Sequence, residues 1–315
     1  MNEELLINSY LKKLSKNNPS SLNLNDDVFF DKTKKLVISV DTYNEGIHFL
    51  NFNKPDLVMR KIIRSSISDI YAKGVKPNYF FLAGSGNKKH FTKKNMSLIN
   101  KTLSNEQNRF NIKLSGGDTT SSKNLSFTVI FLGYSNKIVY RNKAKIGDDI
   151  YLTGNIGDSH IGLKALKKKI NLNSNQKKYF IDKYYSPNLP IKFSLHLFKI
   201  ANCSMDVSDG LVIDLNKLIN KQKLGYLIDI DNIPISNHLK QLIKHKKLKT
   251  LDYLFNGDDY QILFTASKSK RKYIKTLSSK MNQKISIIGQ INTKSKNYLL
   301  DNRRIPIKYI KYQGY

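Results

Sequence analysis

Residues 36–74 decide the fold class of this chain, and they read LVISVDTYNEGIHFLNFNKPDLVMRKIIRSSISDIYAKG. Residues 36–40 form a short apolar run, which predicts a buried strand that ends at Asp41-Thr42. In residues 57–73 the apolar positions recur with a period near 3.6, which predicts an amphipathic helix, and Gly74 follows as its cap. A strand followed by a long helix predicts a mixed α and β fold.

The same alternation continues along the rest of the chain, so the α/β (mixed α+β) class is predicted throughout. Further strands are predicted at residues 28–30, 79–83, 112–114, 125–134, 150–153, 204–207, 226–230, 260–265 and 285–288. Further helices are predicted at residues 5–14, 91–108, 159–169, 176–183, 191–201, 210–221, 236–245 and 267–281. A boundary is predicted near residues 135–147, which gives two domains, 1–138 and 139–315.

Length and composition narrow the class of protein. A chain of 315 residues can bury a large core, and its length favours two domains. It has no apolar run of the roughly 18 residues that span a bilayer. The acidic start, Met1-Asn2-Glu3-Glu4, is unlike a secretory signal, and the single cysteine, Cys203, excludes an internal disulfide and a cysteine-based zinc site. We therefore expect a cytoplasmic protein with no membrane partner.

The charge is strongly basic, with 54 Lys and Arg against 24 Asp and Glu, a net charge of +30. Such an excess favours nucleic-acid binding, because lysine-rich surfaces release counterions from phosphate backbones. However, the excess is mostly lysine spread along the chain, which is typical of a general composition bias and not of a docking stripe. We expect no specific nucleic-acid partner, although a positive field can help to collect small anions.

The informative residues are the few acids. Several aspartates stand in short segments beside Gly, Ser or Thr, and most of these segments follow apolar strands: Asp26-Asp27, Asp41, Asp118, Asp206 with Asp209, and Asp258-Asp259. Asp69 adds a carboxylate within the predicted helix 57–73. One such segment is at least as well explained by turn chemistry, because Asp beside Gly favours turns. Several together favour a set of hard oxygen ligands for Mg²⁺, which would neutralise a phosphorylated substrate.

The glycines and a helix start support the same hypothesis. Gly116 and Gly117 before Asp118 would let the backbone approach a ligand closely. The stretch 206–210, DVSDG, opens a predicted helix whose free N–H groups suit phosphate, although Asp209 also fits an ordinary N-cap. No P-loop or protein-kinase motif occurs, the six histidines lack zinc spacing, and Gly84-Ser85-Gly86 is interpreted as a loop.

Taken in order, these motifs resemble the thiamine-monophosphate kinase family. The similarity runs from about residue 26 to 315 and is carried by Asp26-Asp27, Ser39-Val40-Asp41-Thr42, Glu45-Gly46-Ile47-His48-Phe49, Ser68-Asp69 before Gly74, Gly116-Gly117-Asp118-Thr119-Thr120, Arg141 ahead of Gly147-Asp148, Thr153-Gly154 with Gly157-Asp158, Asp206-Val207-Ser208-Asp209-Gly210-Leu211, Gly257-Asp258-Asp259-Tyr260 and Gly314-Tyr315. The resemblance implies a two-domain fold like aminoimidazole ribonucleotide synthetase, with an N-terminal ATP-binding and dimerisation domain and a C-terminal α/β domain. It also implies a homodimer and transfer of the ATP γ-phosphoryl group to thiamine monophosphate.

The resemblance further implies roles for individual residues. Asp27, Ser39, Val40 (through its backbone oxygen), Asp41, Asp69, Asp118, Asp206 and Asp209 would hold several Mg²⁺ ions. Gly117, Asp118, Arg141 and Ser208 would bind ATP. His48, Asp258 and Tyr315 would contact thiamine monophosphate. No general base is implied, because the acceptor phosphate is already largely ionised with a second pKa of about 6, so charge neutralisation and positioning would carry the reaction.

Four positions depart from the family pattern: Leu24-Asn25 precede the paired aspartates where Gly is usual, Val40 replaces Thr, Ser66 replaces Asn, and Asp258 replaces Glu.

Three alternatives stay open. Selenophosphate synthetase and the hydrogenase-maturation carbamoyl dehydratase use a reactive residue near a chain end, whereas Cys203 is central. Residues 45–48 and the final Gly-Tyr favour the thiamine-monophosphate kinase family over aminoimidazole ribonucleotide synthetase. A nucleic-acid-binding protein would explain the charge but not the acids.

Overall fold

The computed structural model describes residues 3–246, 248, 251–293, 297–301 and 306. It contains two six-stranded sheets, one built from strands before residue 135 and one from strands after residue 148. Its strands are β1 Phe29–Asp31, β2 Leu36–Asn44, β3 Pro77–Gly86, β4 Lys113–Gly116, β5 Thr119–Ser121, β6 Ser126–Tyr134, β7 Asp149–Thr153, β8 Cys203–Asp206, β9 Gly225–Asp229, β10 Ile262–Ala266, β11 Ile285–Asn292 and β12 Tyr298–Leu300.

Helices fall between the strands, as the sequence predicts. They are α1 Glu3–Leu6, α2 Pro55–Ala72, α3 Lys93–Phe110, α4 Asp158–Leu166, α5 Ser174–Tyr185, α6 Ile191–Ser194, α7 Leu197–Ile200, α8 Leu211–Leu218, α9 Asn237–Lys246, α10 Leu251–Leu254 and α11 Arg271–Lys280. The long helix predicted from residue 57 is confirmed as α2. The helix predicted over 191–201 is divided into α6 and α7, and the glycines at 84 and 86 lie in β3 and not in a loop.

The first sheet has the order β1-β2-β6-β3-β4, with β5 also paired to β3. Alternation along β2 places Val37, Ser39, Asp41 and Tyr43 on one face, which α2 covers. The opposite face holds Ile38 and Val40 and is open. The sequence prediction that the strand ends at Asp41 is wrong, because β2 continues to Asn44, paired to β6 along its whole length.

The second sheet has the order β12-β9-β11-β7-β10-β8. Its edge strand β8 lies against α2 of the first half, and this contact joins the two halves. The buried Lys73 ammonium, which follows α2, donates to the Ser204 carbonyl oxygen at 3.0 Å, and the Ser68 hydroxyl donates to the Asp206 carboxylate. The end of α2 and the end of β8 are therefore held together, and the acids on both meet there. No helix in the described part of the chain has the length and apolarity to cross a bilayer.

Candidate functional site

A cavity of about 720 Å³ lies where α2, β2 and β8 meet, and acids line it. We call it the acidic cavity. The carboxylates come from both halves of the chain: Asp26, Asp27, Asp41 and Asp69 from the first, and Asp206, Asp209 and Asp258 from the second. The sequence had separated these residues by more than 200 positions. The fold thus brings together most of the acids that the motifs single out.

Three of these carboxyl groups line the acidic cavity without an ion-pair partner in the described residues. Burial, and after it the charge of Asp27, raises the pKa of Asp206 to about 7. Burial chiefly raises the pKa of Asp41 to about 6, and that of Asp69 lies well above its ordinary range because of burial and its acidic neighbours. Gathering carboxylates in this way is unfavourable in the protein alone, and a bound cation would offset the cost.

The fourth acid, Asp27, has the opposite environment. Burial alone would raise its pKa, but the charges of Lys73 and Arg141 outweigh burial and lower the pKa to about 2. The Lys73 ammonium lies 2.6 Å from Asp26 Oδ1 and 2.7 Å from Asp27 Oδ2, and the Arg141 guanidinium is bonded to Asp27 through two nitrogens. Arg141, which the resemblance assigns to ATP, is thus held by a predicted metal ligand.

Two loops close the far side of the acidic cavity. Asp258 N–H donates to the Ser208 carbonyl oxygen at 2.9 Å, and Tyr260 N–H donates to the Val207 carbonyl oxygen at 2.8 Å. Gly257 makes this approach possible, because a Cβ there would lie 1.7 Å from the Ser208 oxygen. Asp258 and Tyr260 adopt positive φ angles of 68° and 51°, which non-glycine residues rarely do.

The start of helix α8 differs from the prediction. Gly210, and not Asp209, is the N-cap residue. The Asp214 carboxylate accepts the N–H groups of Asp209 and Gly210 at 2.9 and 3.0 Å, so these two donors are not free for phosphate. Asp209 itself is exposed and pairs with the Lys217 ammonium. The buried Asp214 therefore fixes the loop that carries Ser208.

The other end of the acidic cavity is aromatic. The buried Lys61 ammonium lies 2.7 Å from Asp258 Oδ1 and 4.2 Å from the centre of the Tyr184 ring. The Tyr260 hydroxyl donates to the same Asp258 oxygen at 2.8 Å. His48 lines this end, and burial, followed by the charge of Lys61, lowers its pKa although Asp258 acts to raise it. A neutral imidazole and a carboxylate thus face the cavity together.

The structure does not bring every predicted residue to the acidic cavity. Gly117 and Asp118 are exposed between β4 and β5 and do not line it. The Ser39 side chain is buried beneath Asp41 on the α2-facing side of β2, and its hydroxyl has no hydrogen-bond partner in the described residues. Val40 does line the cavity, although its side chain lies on the face of β2 opposite to that of Asp41. Tyr315 lies outside the described residues.

No three His, Cys, Asp or Glu side chains in the described ranges already stand together as a complete metal site. Asp27 is paired with Lys73 and Arg141. The donor set nevertheless fits Mg²⁺, since Asp41, Asp69 and Asp206 supply only hard oxygen atoms and their pKa values are raised by burial and by neighbouring acids.

Sequence reasoning missed the basic residues of the site, Lys61, Lys73 and Lys217. In a chain with 54 Lys and Arg, a lysine carries no signal of its own. Lys61 lies on the same long helix as Asp69, and Lys73 directly follows that helix; only the packing of the helix shows that both lysines are buried. Asp214, three residues after Leu211, could have been noticed as an acid in the first turn of α8.

Comparison with known proteins gives the relatives of this chain. Residues 25–134 match the family described as AIR synthase related protein, N-terminal domain, and residues 145–302 match its C-terminal domain. The thiamine-monophosphate kinase of Buchnera aphidicola subsp. Acyrthosiphon pisum (strain APS) is 33% identical over 95% of this chain and 94% of its own length.

Solved structures agree in fold. A thiamine monophosphate kinase structure from Aquifex aeolicus has a TM-score of 0.80, with 25% identity, and the match covers 98% of this chain and 99% of that one. AaThiL complexed with AMPPCP and TMP has a TM-score of 0.82, with 26% identity, covering 95% of each chain. The mixed α/β, two-domain architecture that the sequence predicts is confirmed.

Proposed function

This chain belongs to the AIR synthase related family and, within it, to the thiamine-monophosphate kinases, and from that premise we propose the reaction it performs. It transfers the γ-phosphoryl group of ATP to the phosphate of thiamine monophosphate, giving thiamine diphosphate and ADP. The observation that carries the assignment is the convergence of carboxylates from both halves in one cavity. Seven acids at one place in a chain of net charge +30 need a functional reason.

The acceptor explains why the site holds acids and no strong base. A phosphate monoester is largely ionised at neutral pH, with a second pKa of about 6, so its oxygen attacks without prior proton removal. The main barrier is the approach of one polyanion to another. A site for this reaction has to hold the two phosphates in line and neutralise their charge.

Mg²⁺ is the cation that this donor set fits. Asp41, Asp69 and Asp206 would be its central ligands, and Asp27 would join them. Ser39, the Val40 carbonyl oxygen, Asp118 and Asp209 are assigned to the set by the family resemblance, and of these Asp118 lies outside the acidic cavity of the single chain. When bound, Mg²⁺ supplies positive charge to the reacting phosphates and a template that orients them. Asp27 can bind the cation only while it also stays paired with Lys73 and Arg141. The positive charges of Lys73 and Arg141 would then lie beside the phosphates as well.

The basic residues around the acidic cavity fit the nucleotide. Arg141 offers a planar guanidinium, which donates two parallel hydrogen bonds to phosphate. Lys217 lies in the wall beside Asp209, and Ser208 lines the same wall. We assign ATP phosphate binding to Arg141, Ser208, Gly117 and Asp118. The thiamine end is assigned to His48, Asp258 and Tyr315, with Asp258 held by Lys61 and Tyr260.

Dimerisation is proposed through the open face of the first sheet. Three large side chains on this face are strongly exposed in the single chain: Val40 at 59%, Tyr134 at 55% and Tyr79 at 42%. Exposed apolar patches of this kind mark protein–protein contacts. We propose a cytoplasmic homodimer, with domains 1–138 and 139–315, the first of which carries the dimer contact.

One assay tests the function directly. Purified protein is incubated with ATP, Mg²⁺ and thiamine monophosphate, and thiamine diphosphate is measured by chromatography. We expect product in proportion to ADP, and a large loss of turnover in Asp118→Asn with the fold preserved. Absence of thiamine diphosphate at saturating Mg²⁺, combined with a salt-dependent gel shift on nucleic acid, would replace this proposal by the nucleic-acid hypothesis.

A further inference from the structure

A second cavity, of about 230 Å³, lies next to the acidic cavity in the second half of the chain. Its wall includes Asp158, Ser159, Tyr179 and Asp259, and we call it the Asp158 cavity. Asp258 lines both cavities. The two cavities are therefore neighbours, with Asp258 in the wall of each, and the Asp158 cavity lies beside the end of the acidic cavity that His48 and Asp258 line.

Two buried carboxyl groups give the Asp158 cavity its chemistry. Asp158 is 5% exposed and accepts the Ser236 hydroxyl at 2.6 Å and the Tyr179 hydroxyl at 2.8 Å. Asp259 is 7% exposed and accepts the Gly157 N–H at 2.9 Å. Neither takes part in an ion pair within the described ranges. Burial raises the pKa of both carboxyls, so a cation or a further N–H donor would stabilise them.

An independent feature points to a ligand. Ser159 lines the cavity, is 2% exposed, and its hydroxyl has no hydrogen-bond partner in the part of the chain that the structure describes. A buried hydroxyl without a partner destabilises the folded protein, because it has lost its hydrogen bonds to water. Native proteins keep few such groups, and each needs a reason. A polar ligand atom beside Ser159 would supply the missing hydrogen bond.

The charge of the wall argues against an anion. The N-terminus of α4 would favour one, but the Asp259 carboxylate already accepts the Gly157 N–H there. Lys183 also lines the cavity, but its ammonium is already engaged with the Tyr179 ring, 5.3 Å from the ring centre. Two carboxyl groups, an unpaired hydroxyl and a tyrosine suit a group that is positively charged or rich in N–H donors.

We propose that the Asp158 cavity receives the amino-substituted heterocycle of the acceptor, whose exocyclic amino group donates hydrogen bonds to Asp158 and Ser159. Each oxygen of Asp158 has a lone pair left after its existing bond, so the amino group has an acceptor. This inference rests on the proposed function, because it names the part of the same acceptor that the cavity selects. It makes Asp158 and Ser159 specificity residues for the ring, separate from the groups that hold the phosphates.

The first experiment changes the acceptor and leaves the protein intact. The kcat/KM of the wild-type enzyme is measured for thiamine monophosphate and for oxythiamine monophosphate, in which a carbonyl oxygen replaces the amino group. A site built to bind an N–H group rejects an analogue that lacks it, because its own buried polar groups lose their partner. We expect kcat/KM for the oxythiamine compound to be lower by a factor of about 100, with the KM for ATP unchanged.

The second experiment locates that discrimination in the Asp158 cavity. In Ser159→Ala we expect the ratio between the two acceptors to shrink by a factor of about 10, which corresponds to one hydrogen bond. Ser279→Ala, at an exposed position of α11, is the matched control and should keep the full ratio. Equal kcat/KM values for the two acceptors in the wild type, or an unchanged ratio in Ser159→Ala, would overturn the inference alone. Failure of the wild type to phosphorylate thiamine monophosphate would overturn the proposed function and this inference with it.

Discussion

Replacing Asp206 by Asn should stabilise the metal-free protein while it removes activity. Asp206 is 2% exposed, and its pKa rises from an ordinary 3.8 to about 7 because of burial and the charge of Asp27. At about 1.4 kcal/mol per pKa unit, ionising Asp206 in the folded protein costs up to about 4 kcal/mol more than in the unfolded chain. Asparagine keeps an oxygen that can accept the Ser68 hydroxyl and removes the charge.

The sign of the pH dependence follows from the raised pKa. The folded state holds the Asp206 proton more tightly than the unfolded state, so this carboxyl does not penalise folding below about pH 4. The penalty grows as the pH rises from about 4 to about 7 and is complete above 7. We expect Asp206→Asn to gain about 2–4 kcal/mol at pH 8 and roughly a third of that at pH 5. For a chain of this size, the gain at pH 8 corresponds to a Tm higher by about 3–6 °C.

The assay is thermal unfolding in EDTA at pH 5 and pH 8, followed by the same scans with Mg²⁺. Mg²⁺ should raise the Tm of the wild type more than that of Asp206→Asn, because the variant has lost a ligand. The exposed Asp231→Asn is the control and should stay within about 0.5 kcal/mol of wild type at both pH values. A lower Tm for Asp206→Asn than for wild type at pH 8, or an equal gain at pH 5, would refute the argument from gathered charge.

Three further changes test other parts of the site. Asp41→Asn should lower kcat by a factor of at least about 100, since it removes charge stabilisation at the phosphates, and circular dichroism should show an unchanged fold; full turnover at saturating Mg²⁺ would contradict its role as a ligand. Lys73→Met should destabilise the protein by about 3–5 kcal/mol in denaturant unfolding, because it leaves the Asp27 carboxylate buried with one partner fewer. A loss smaller than about 1 kcal/mol would show that Arg141 alone is enough to stabilise the buried Asp27 charge. Gly257→Ala should abolish activity, because its Cβ would lie 1.7 Å from the Ser208 oxygen. The control is Gly46→Ala, whose Cβ meets no atom within 4 Å and which should lower the free energy of unfolding by only about 1 kcal/mol because of its φ of +83°. Equal activity in the two variants would exclude a role for the close approach of the loops.

The sequence predicted the elements and the acids well because both have local causes. The helix α2 follows from the 3.6-residue period of its apolar side chains, and β2 from a short apolar run. Aspartates at the ends of such runs were informative because the chain has few acidic residues and many basic ones. The error at Asp41 has a clear reason, since a polar residue inside a paired strand looks like the end of that strand until its partner β6 is known.

The basic half of the site could not be predicted. Lys61 and Lys73 look like any other lysine in this chain, and their roles depend on burial against Asp258 and Asp27, which lie far away in sequence. The hydrogen bonds from the Asp209 and Gly210 N–H groups, just before α8, to Asp214 depend on loop geometry. The unpaired hydroxyl of Ser159 became visible only when the cavity around it did.

The sequence by itself determined the alternating strands and helices, the two domains and the order of the acidic motifs, because each of these depends on neighbours within a few residues. The tertiary structure alone decided which acids share a cavity, which are paired with a buried lysine or arginine, and which carry a raised pKa. Those properties depend on distances between side chains and on their exclusion from water, and both are set when α2 packs against β8.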